Sequence, residues 1–352
     1  MNNMTKLLIL FLLIIITSES YGQYSNKITS KKYTSYVDSL KQMEYSSIFP
    51  IYGKQAYKAG FDVPFPAGFS LNYFWQEQNV IISGLEVGFQ TPDNEVGPIN
   101  LDSIVVFDQS NSATWAMNLR PDLWVLPFLN VYGIFAKGKN STSVKLLSPV
   151  PLVVVTDFDA SSAGFGILLA GGLGPGWISF DNNWSWSFVS ALDDPVNVHN
   201  MGIRIGVTKV NIQNPKKNIA LWFGAFRQRI SSNTVGSISV NELFPDADQG
   251  LADRIEQGWD DYLSDKNCTG PTTHPACELD PLVQSIVDKL RTDEPISNTT
   301  ILYKMEKELK QEWNMVIGAQ YQFNKRLQLR SEYGFLGDRT QFLASLNYRF
   351  LL

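Results

Sequence analysis

The chain has 352 residues, a net charge of −5 and a mean hydropathy of −0.10. An acidic chain with no basic domain excludes a nucleic-acid partner, because nothing is present to neutralise a run of phosphates. Beyond its N-terminal segment, no stretch approaches the roughly 20 apolar residues that a membrane-spanning helix needs. An ordinary mean hydropathy remains compatible with membrane strands, whose apolar and polar residues alternate and average out.

The N-terminus reads as a secretory signal over residues 1–22. Lys6 precedes an unbroken apolar run over residues 7–16, too short to span a bilayer but suited to a signal core. Small residues at Ser20 and Gly22 place the cut before Gln23, and the absence of Cys there excludes a lipoprotein signal. Residues 23–65 then form an N-terminal segment, periplasmic or lumenal, with one helix expected over residues 33–45.

Strands begin at about residue 66. Residues 69–75 and 81–89 read as an opening pair, and residues 104–107 as a weak strand. Residues 115–125 and 129–135 read as a hairpin bent at Leu126, Pro127 and Phe128. Residues 164–170 set Phe165, Ile167 and Leu169 against Gly164, Gly166 and Leu168. Residues 178–188 set Ile178, Phe180, Trp184, Trp186 and Phe188 against Ser179, Asp181, Asn183, Ser185 and Ser187. Residues 201–207 alternate in the same way, whereas residues 218–230 are aromatic-rich with ambiguous facing.

The C-terminus alternates most clearly. Over residues 313–323, Trp313, Met315, Ile317, Ala319, Tyr321 and Phe323 share one face. A step at Asn324 and Lys325 leads to residues 326–335, where Leu327, Leu329, Tyr333 and Phe335 oppose Arg326, Gln328, Arg330 and Glu332. The last strand sets Phe342, Ala344, Leu346, Tyr348 and Phe350 against Leu343, Ser345, Asn347 and Arg349.

A period of two gives strands but does not separate a sandwich from a barrel. Aromatics near the strand ends and lengths of about ten residues match a bilayer crossing. The fold expected is all-β: a transmembrane antiparallel up-and-down β-barrel of about 12 strands, with 10 as the alternative, over residues 66–352. The turns at 172–175, 214–217 and 324–325 fall on one side and are short, as periplasmic turns are. The loops expected outside are residues 139–161 and a long insertion over residues 231–312. That insertion is read as partly helical, with helices over residues 251–263 and 282–290 and a cysteine loop between them. Cys268 and Cys277 are the only cysteines, and in an exported chain they read as a local disulfide.

The inward, lumen-lining candidates are Glu86, Arg120, Asp122, Asp181, Arg204, Gln320, Arg326, Arg330, Glu332 and Arg349. They either select solutes or form a self-satisfied network that fills a narrow bore. The excess of arginine points to a preference for anions. The two histidines, His199 and His274, offer little for catalysis: His199 with Ser187 or Ser190 is the one arrangement a lipid hydrolase would use. Asp246, Asp248 and the pair Asp260 and Asp261 depart from the spacing of a calcium loop. No metal, cofactor or enzyme activity is expected.

The stretch from Leu119 to Tyr132 (LRPDLWVLPFLNVY), residues 313–321 (WNMVIGAQY) and the terminal Tyr348-Arg349-Phe350 resemble a family of Gram-negative outer-membrane β-barrel proteins. The resemblance runs from about residue 65 to the end, outside the insertion. It implies the fold and an outer-membrane location, and no activity. The expected role is an outer-membrane channel or transporter for small solutes with its mouth restricted by the insertion. The alternatives are a binding or adhesion protein and a lipid hydrolase. The expected partners are membrane lipid, a small solute and, during biogenesis, the barrel-assembly machinery.

Overall fold

The computed structural model describes residues 31–352, apart from 43, 91–94, 103, 150, 174, 191, 212, 232, 240–248, 270–273 and 292–299. The secretory signal at 1–22 and the carboxylates Asp246 and Asp248 therefore lie outside the described residues.

Fourteen strands form one antiparallel sheet. They are β1 (Ala67–Gln90), β2 (Glu95–Asn100), β3 (Val106–Phe107), β4 (Ser110–Leu126), β5 (Leu129–Ser148), β6 (Leu152–Leu173) and β7 (Gly176–Val189). Then follow β8 (Val196–Val210), β9 (Asn218–Ile230), β10 (Asn233–Ser239), β11 (Thr300–Leu309), β12 (Trp313–Gln322), β13 (Leu327–Phe335) and β14 (Arg339–Phe350). Strands β4 to β9 pair in succession, β9 pairs with β12, and β12, β13 and β14 pair in turn. Strand β1 joins β14 on one side and β4 on the other, so the ring closes with ten strands, the smaller of the two numbers expected.

Side-chain alternation sets the two faces of this wall. Leu71, Leu119, Phe165, Ile203, Ile205, Phe223, Ile317 and Leu346 are exposed on the outside. Ser70, Asn72, Ser179, Arg204, Asn314, Glu332, Ser345 and Arg349 are buried on the inside. An apolar outside and a polar inside reverse the arrangement of a water-soluble barrel. In lipid, a closed ring also satisfies every ladder group without an edge. Aromatics flank the apolar band: Phe69, Tyr321, Phe323 and Tyr348 near the end that carries both barrel termini, and Trp115, Trp184, Trp186, Trp313 and Tyr333 at the far end. The shortest wall strands, β12 at 10 residues and β13 at 9, match the roughly 9–11 residues of a tilted crossing.

Several strands run past this band. Strand β1 is one 24-residue strand and not the expected pair, since the polar stretch at 76–79 continues the ladder instead of turning. Strands β5 and β6 stay paired to Leu146 and Leu152, so the long loop expected at 139–161 is instead a hairpin with a tight tip. The outer face there carries exposed Lys137, Lys139, Asp157 and Asp159. The wall has left the lipid, and the apolar alternation that marks a membrane strand has ended with it.

The far end narrows. The β13–β14 hairpin is short, and above its turn β11 pairs directly with β1, with Val80 opposite Leu309 and Ile82 opposite Lys307. The backbone N–H of Lys310 donates to the Asn79 carbonyl (3.2 Å), and that of Asn79 to the Asp338 carbonyl (2.9 Å). Strand β10 pairs with β11 and bridges Leu192 in the β7–β8 loop. Thus β10 and β11 replace β13 and β14 as the wall above the band.

The insertion expected over 231–312 begins and ends as the strands β10 and β11, and only the part between them is helical, built around α3 (Gln249–Ser264) and α4 (Asp280–Arg291), joined by a loop that the Cys268–Cys277 disulfide closes. Trp259 and Ala276 pack with Ile104, and Ala252 packs with Val287, so the helices fasten to the segment after β2. At the opposite end, α1 (Lys31–Gln42) and α2 (Gly53–Lys58) precede β1. Leu40, Tyr57 and Val63 form a small core. The N–H of Ile51 donates to the Val125 carbonyl and that of Trp124 to the Pro66 carbonyl, both at 2.8 Å. This segment is pinned beneath the barrel.

Candidate functional site in the barrel lumen

Inward positions follow from the pairing registers, and side chains long enough to cross the bore meet at mid-height. Arg204 on β8 donates from Nε and Nη2 to Glu332 on β13, at 2.6 and 2.7 Å. Those two strands are three apart in the ring, so the ion pair crosses the bore rather than following the wall. Trp222 on β9 donates its indole N–H to the same carboxylate at 2.8 Å, and Arg330 adds a bond at 3.1 Å. The Arg330 guanidinium also lies 4.7 Å from the Trp222 ring centroid. Gly318 makes this possible: a Cβ there would stand 2.3 Å from the Trp222 ring.

A second cluster faces the first. Tyr132 on β5 donates its hydroxyl to Asp181 at 2.5 Å, and Asn183 donates to the same oxygen at 3.2 Å. Arg120 lies 3.4 Å from the Tyr132 ring centroid and reaches the other Asp181 oxygen only at 3.9 Å. A cation on an aromatic face is held by the ring quadrupole as well as by the distant carboxylate.

Below these lies a floor. Arg349 donates from Nη1 to Asp122 at 2.9 Å, and from Nε to the Phe65 carbonyl at 2.8 Å. Asn130 donates to Asp122 at 3.0 Å. The last barrel strand is thereby tied to the segment that precedes the first. Outside the band, Lys325 in the β12–β13 turn pairs with Asp62 at 2.8 Å. That carboxylate holds the Lys325 amine charged to higher pH than usual, against the opposing effect of its burial.

Above the mid-height layer stand two further cations. Arg339 donates to Gln228 and Asn314 side chains and to the Phe226 and Glu312 carbonyls, all neutral acceptors. Lys307 on β11 faces inward opposite Ile82, and its one described hydrogen bond goes to the Thr142 hydroxyl at 3.4 Å.

The inner wall therefore differs in sign from the chain. Among the described residues, six cations point inward (Arg120, Arg204, Arg330, Arg339, Arg349 and Lys307) against three carboxylates (Asp122, Asp181 and Glu332). The whole protein carries −5. The bore is not solid: Arg120 and Arg330 keep 26 % and 29 % of their side-chain surface accessible while pointing into it.

Of the expected lumen residues, Arg120, Asp122, Asp181, Arg204, Gln320, Arg330, Glu332 and Arg349 lie on the inner face. Glu86 does not. It sits on β1 beyond the ten-strand ring, after a bulge between Ser83 and Glu86 that breaks the alternation, and pairs with Lys304 at 3.3 Å in an exposed position. Arg326 does not either. Asn324 accepts from the Arg326 and Leu327 N–H groups, which makes Arg326 part of an exposed turn, with its guanidinium on the Tyr348 hydroxyl at 3.2 Å.

Sequence reasoning missed Lys307, Arg339, Trp222 and Tyr132. A signal existed for Lys307: Ile301, Tyr303, Met305 and Leu309 share its phase, so it is the one cation in an apolar row. Arg339 directly follows the Gly337 and Asp338 turn, where alternation does not yet assign a face.

The other expected sites are not assembled into chemistry. His199 Nε2 contacts the Asn182 side chain at 2.7 Å and its ring stacks on outward-facing Trp184. Ser187 bonds Ser162 on the inner face instead. His274 Nδ1 accepts from the Ala276 N–H and caps a short turn. Asp260 and Asp261 are exposed on α3, and no group of three or more metal-ligating side chains occurs among the described residues.

No family model matches the sequence, and no curated protein does. Among solved structures, the chain is similar to the β domain of the Bordetella autotransporter BrkA, at 8 % identity and a TM-score of 0.37, covering 81 % of this chain and 100 % of that one. It is similar to the translocator domain of the Neisseria meningitidis autotransporter NalP, at 9 % identity and 0.33, covering 90 % and 99 %. It is also similar to the Pseudomonas aeruginosa outer-membrane protein OprG, at 9 % identity and 0.30, covering 83 % and 100 %. Such loose superpositions add nothing to what ring closure and the outward apolar band establish by themselves: the chain is a β-barrel of the outer-membrane type.

Proposed function

We propose that the protein is an outer-membrane channel for small solutes, closed at mid-height in the conformation described. The carrying observation is the contrast within the lumen. Space remains beside Arg120 and Arg330, whereas the Arg204–Glu332 pair and the Trp222 ring lie across the path just beyond. A ring of ten strands has a small bore, so one such layer suffices to obstruct it. In this reading, the end with both termini faces the periplasm and α3 and α4 lie over the outer mouth. The surrounding lipid is a partner, and insertion depends on barrel-assembly machinery.

One feature favours a second reading, surface binding: the insertion has a packed core and a disulfide of its own. Deleting residues 248–297 in a Trp222→Ala background, where the mid-height layer is open, separates the two, because β10 and β11 stay intact. A channel becomes leakier in planar bilayers, whereas a binding protein loses its ligand with unchanged conductance. A deletion barrel that folds and conducts no more than Trp222→Ala alone counts against the channel.

A further inference from the structure

The lumen holds more positive charge than its own carboxylates neutralise, and the excess is localised. In the mid-height layer, Glu332 serves Arg204, Arg330 and Trp222 together. Asp181 is engaged through one oxygen by Tyr132 and Asn183, and meets Arg120 only at 3.9 Å. Asp122 is held by Arg349 and Asn130. Arg330 lies close enough to Arg204 and Arg120 to be repelled by both, and its Nε is buried without a hydrogen-bond partner. A buried N–H left unsatisfied costs free energy, and so do like charges forced together in a low-dielectric space. Arg120 on β4 and Arg330 on β13 are three strands apart in the ring, so they approach the lumen space from different sides, and both keep accessible surface there.

We propose that Arg120 and Arg330 together bind a small oxyanion in the lumen, one carrying a phosphoryl, sulfuryl or carboxylate group. This deepens the channel reading by naming the solute class, and rests on it only for the meaning of the site and not for its existence. A guanidinium presents a planar fork of donors that matches such a group. The anion would meet the accessible guanidinium surface of Arg330 and of Arg120, and it would screen the repulsion between them. The Tyr132 and Trp222 rings hold the two guanidiniums from behind, so the site is built before its ligand arrives. Lys307 and Arg339, placed above the site with neutral partners, mark the approach from the far mouth.

The test is equilibrium dialysis of the refolded full-length barrel in detergent micelles against radiolabelled inorganic phosphate at pH 7. Unlabelled sulfate and acetate compete in parallel arms, which tells a tetrahedral oxyanion from a carboxylate. Heat-modifiable gel migration confirms that each variant is folded. Saturable binding to the intact protein, weakened at least tenfold in both Arg120→Gln and Arg330→Gln and by less in Arg330→Lys, which keeps the charge but loses the fork, is the expected result. Absence of saturable binding by any of the three anions, or equal binding by the folded glutamine variants, overturns the proposal. Binding is an equilibrium property of the folded barrel, so a protein that takes up phosphate while its folded Trp222→Ala variant stays electrically silent overturns the channel reading and leaves the site standing.

Discussion

Arg204 and Glu332 face each other across the bore from strands three apart and meet through two hydrogen bonds of 2.6 and 2.7 Å. Both side chains are nearly inaccessible, at 9 % and 4 %. Taking two charges out of water is repaid only when the pair is geometrically good and otherwise satisfied, and this one is bidentate with a third donor from Trp222. The pair thus cross-links opposite walls and obstructs the path at once.

Removing one partner should therefore be costly. Glu332→Ala leaves Arg204 and Arg330 uncompensated, and a loss of about 3–5 kcal/mol is expected. Replacing both partners with methionine should recover part of it, because a packed apolar pair is often as stable as a buried ionic one, while Arg330 and the Trp222 N–H still lack their acceptor. Urea midpoints of the refolded single and double variants check this. A double variant as unstable as Glu332→Ala would mean that the pair itself stabilises the barrel.

Gly318 gives the same layer its packing. The Trp222 ring occupies the space where a side chain at 318 would begin, so Gly318→Ala must displace the ring. Overpacking of this kind costs about 1–3 kcal/mol. The expected outcome is a lower unfolding midpoint, and a larger conductance if the ring swings out of the path. Both are measurable on one preparation.

Lys307 lies on β11, above the membrane-spanning wall. Burial lowers its pKa to about 8. The inward faces of β1, β5 and β10 bring no carboxylate to it, and Glu306 and Glu308 on its own strand face the other way. Lys307 is charged below pH 8 and neutral above it. The preference for anions is therefore expected to be present at pH 7 and to fall as pH rises through 8. Reversal potentials of the conducting Trp222→Ala barrel under a salt gradient at pH 7 and pH 9 check this, and adding Lys307→Met should remove the step. A step of unchanged size in that variant would assign the titration elsewhere.

The Cys268–Cys277 bridge acts on the insertion alone, since its core is made from α3, α4 and the Leu101–Ile104 segment. Closing a short loop of this size is worth about 2–3 kcal/mol to the unit that contains it. Replacing both cysteines with serine is expected to speed proteolysis between α3 and α4 while leaving the barrel's heat-modifiable migration unchanged.

The parts of the fold legible in the sequence are those in lipid. Residues 178–188 and 313–323 show their facing because one side must be apolar and the other polar. Where the wall leaves the lipid, as at Gln76, Lys139 and Asp157, both faces tolerate polar residues and the period of two disappears. The strands there were read as turns or loops for that reason. The inward arginines were legible as cations in an apolar-alternating frame. Their closure of the bore was not, because it depends on Trp222 and Tyr132, whose reach across the lumen to Glu332 and Asp181 is set by the curvature of the ring and not by the alternation along a strand.

The most direct measurement is the single-channel conductance of the refolded protein and of Trp222→Ala in planar bilayers under a potassium chloride gradient. The expected result is a nearly silent intact barrel and a steady, anion-selective conductance once the indole is removed. A folded Trp222→Ala barrel that stays silent, or that conducts with cation preference, would contradict a lumen closed by the Arg204–Glu332 layer and biased toward anions.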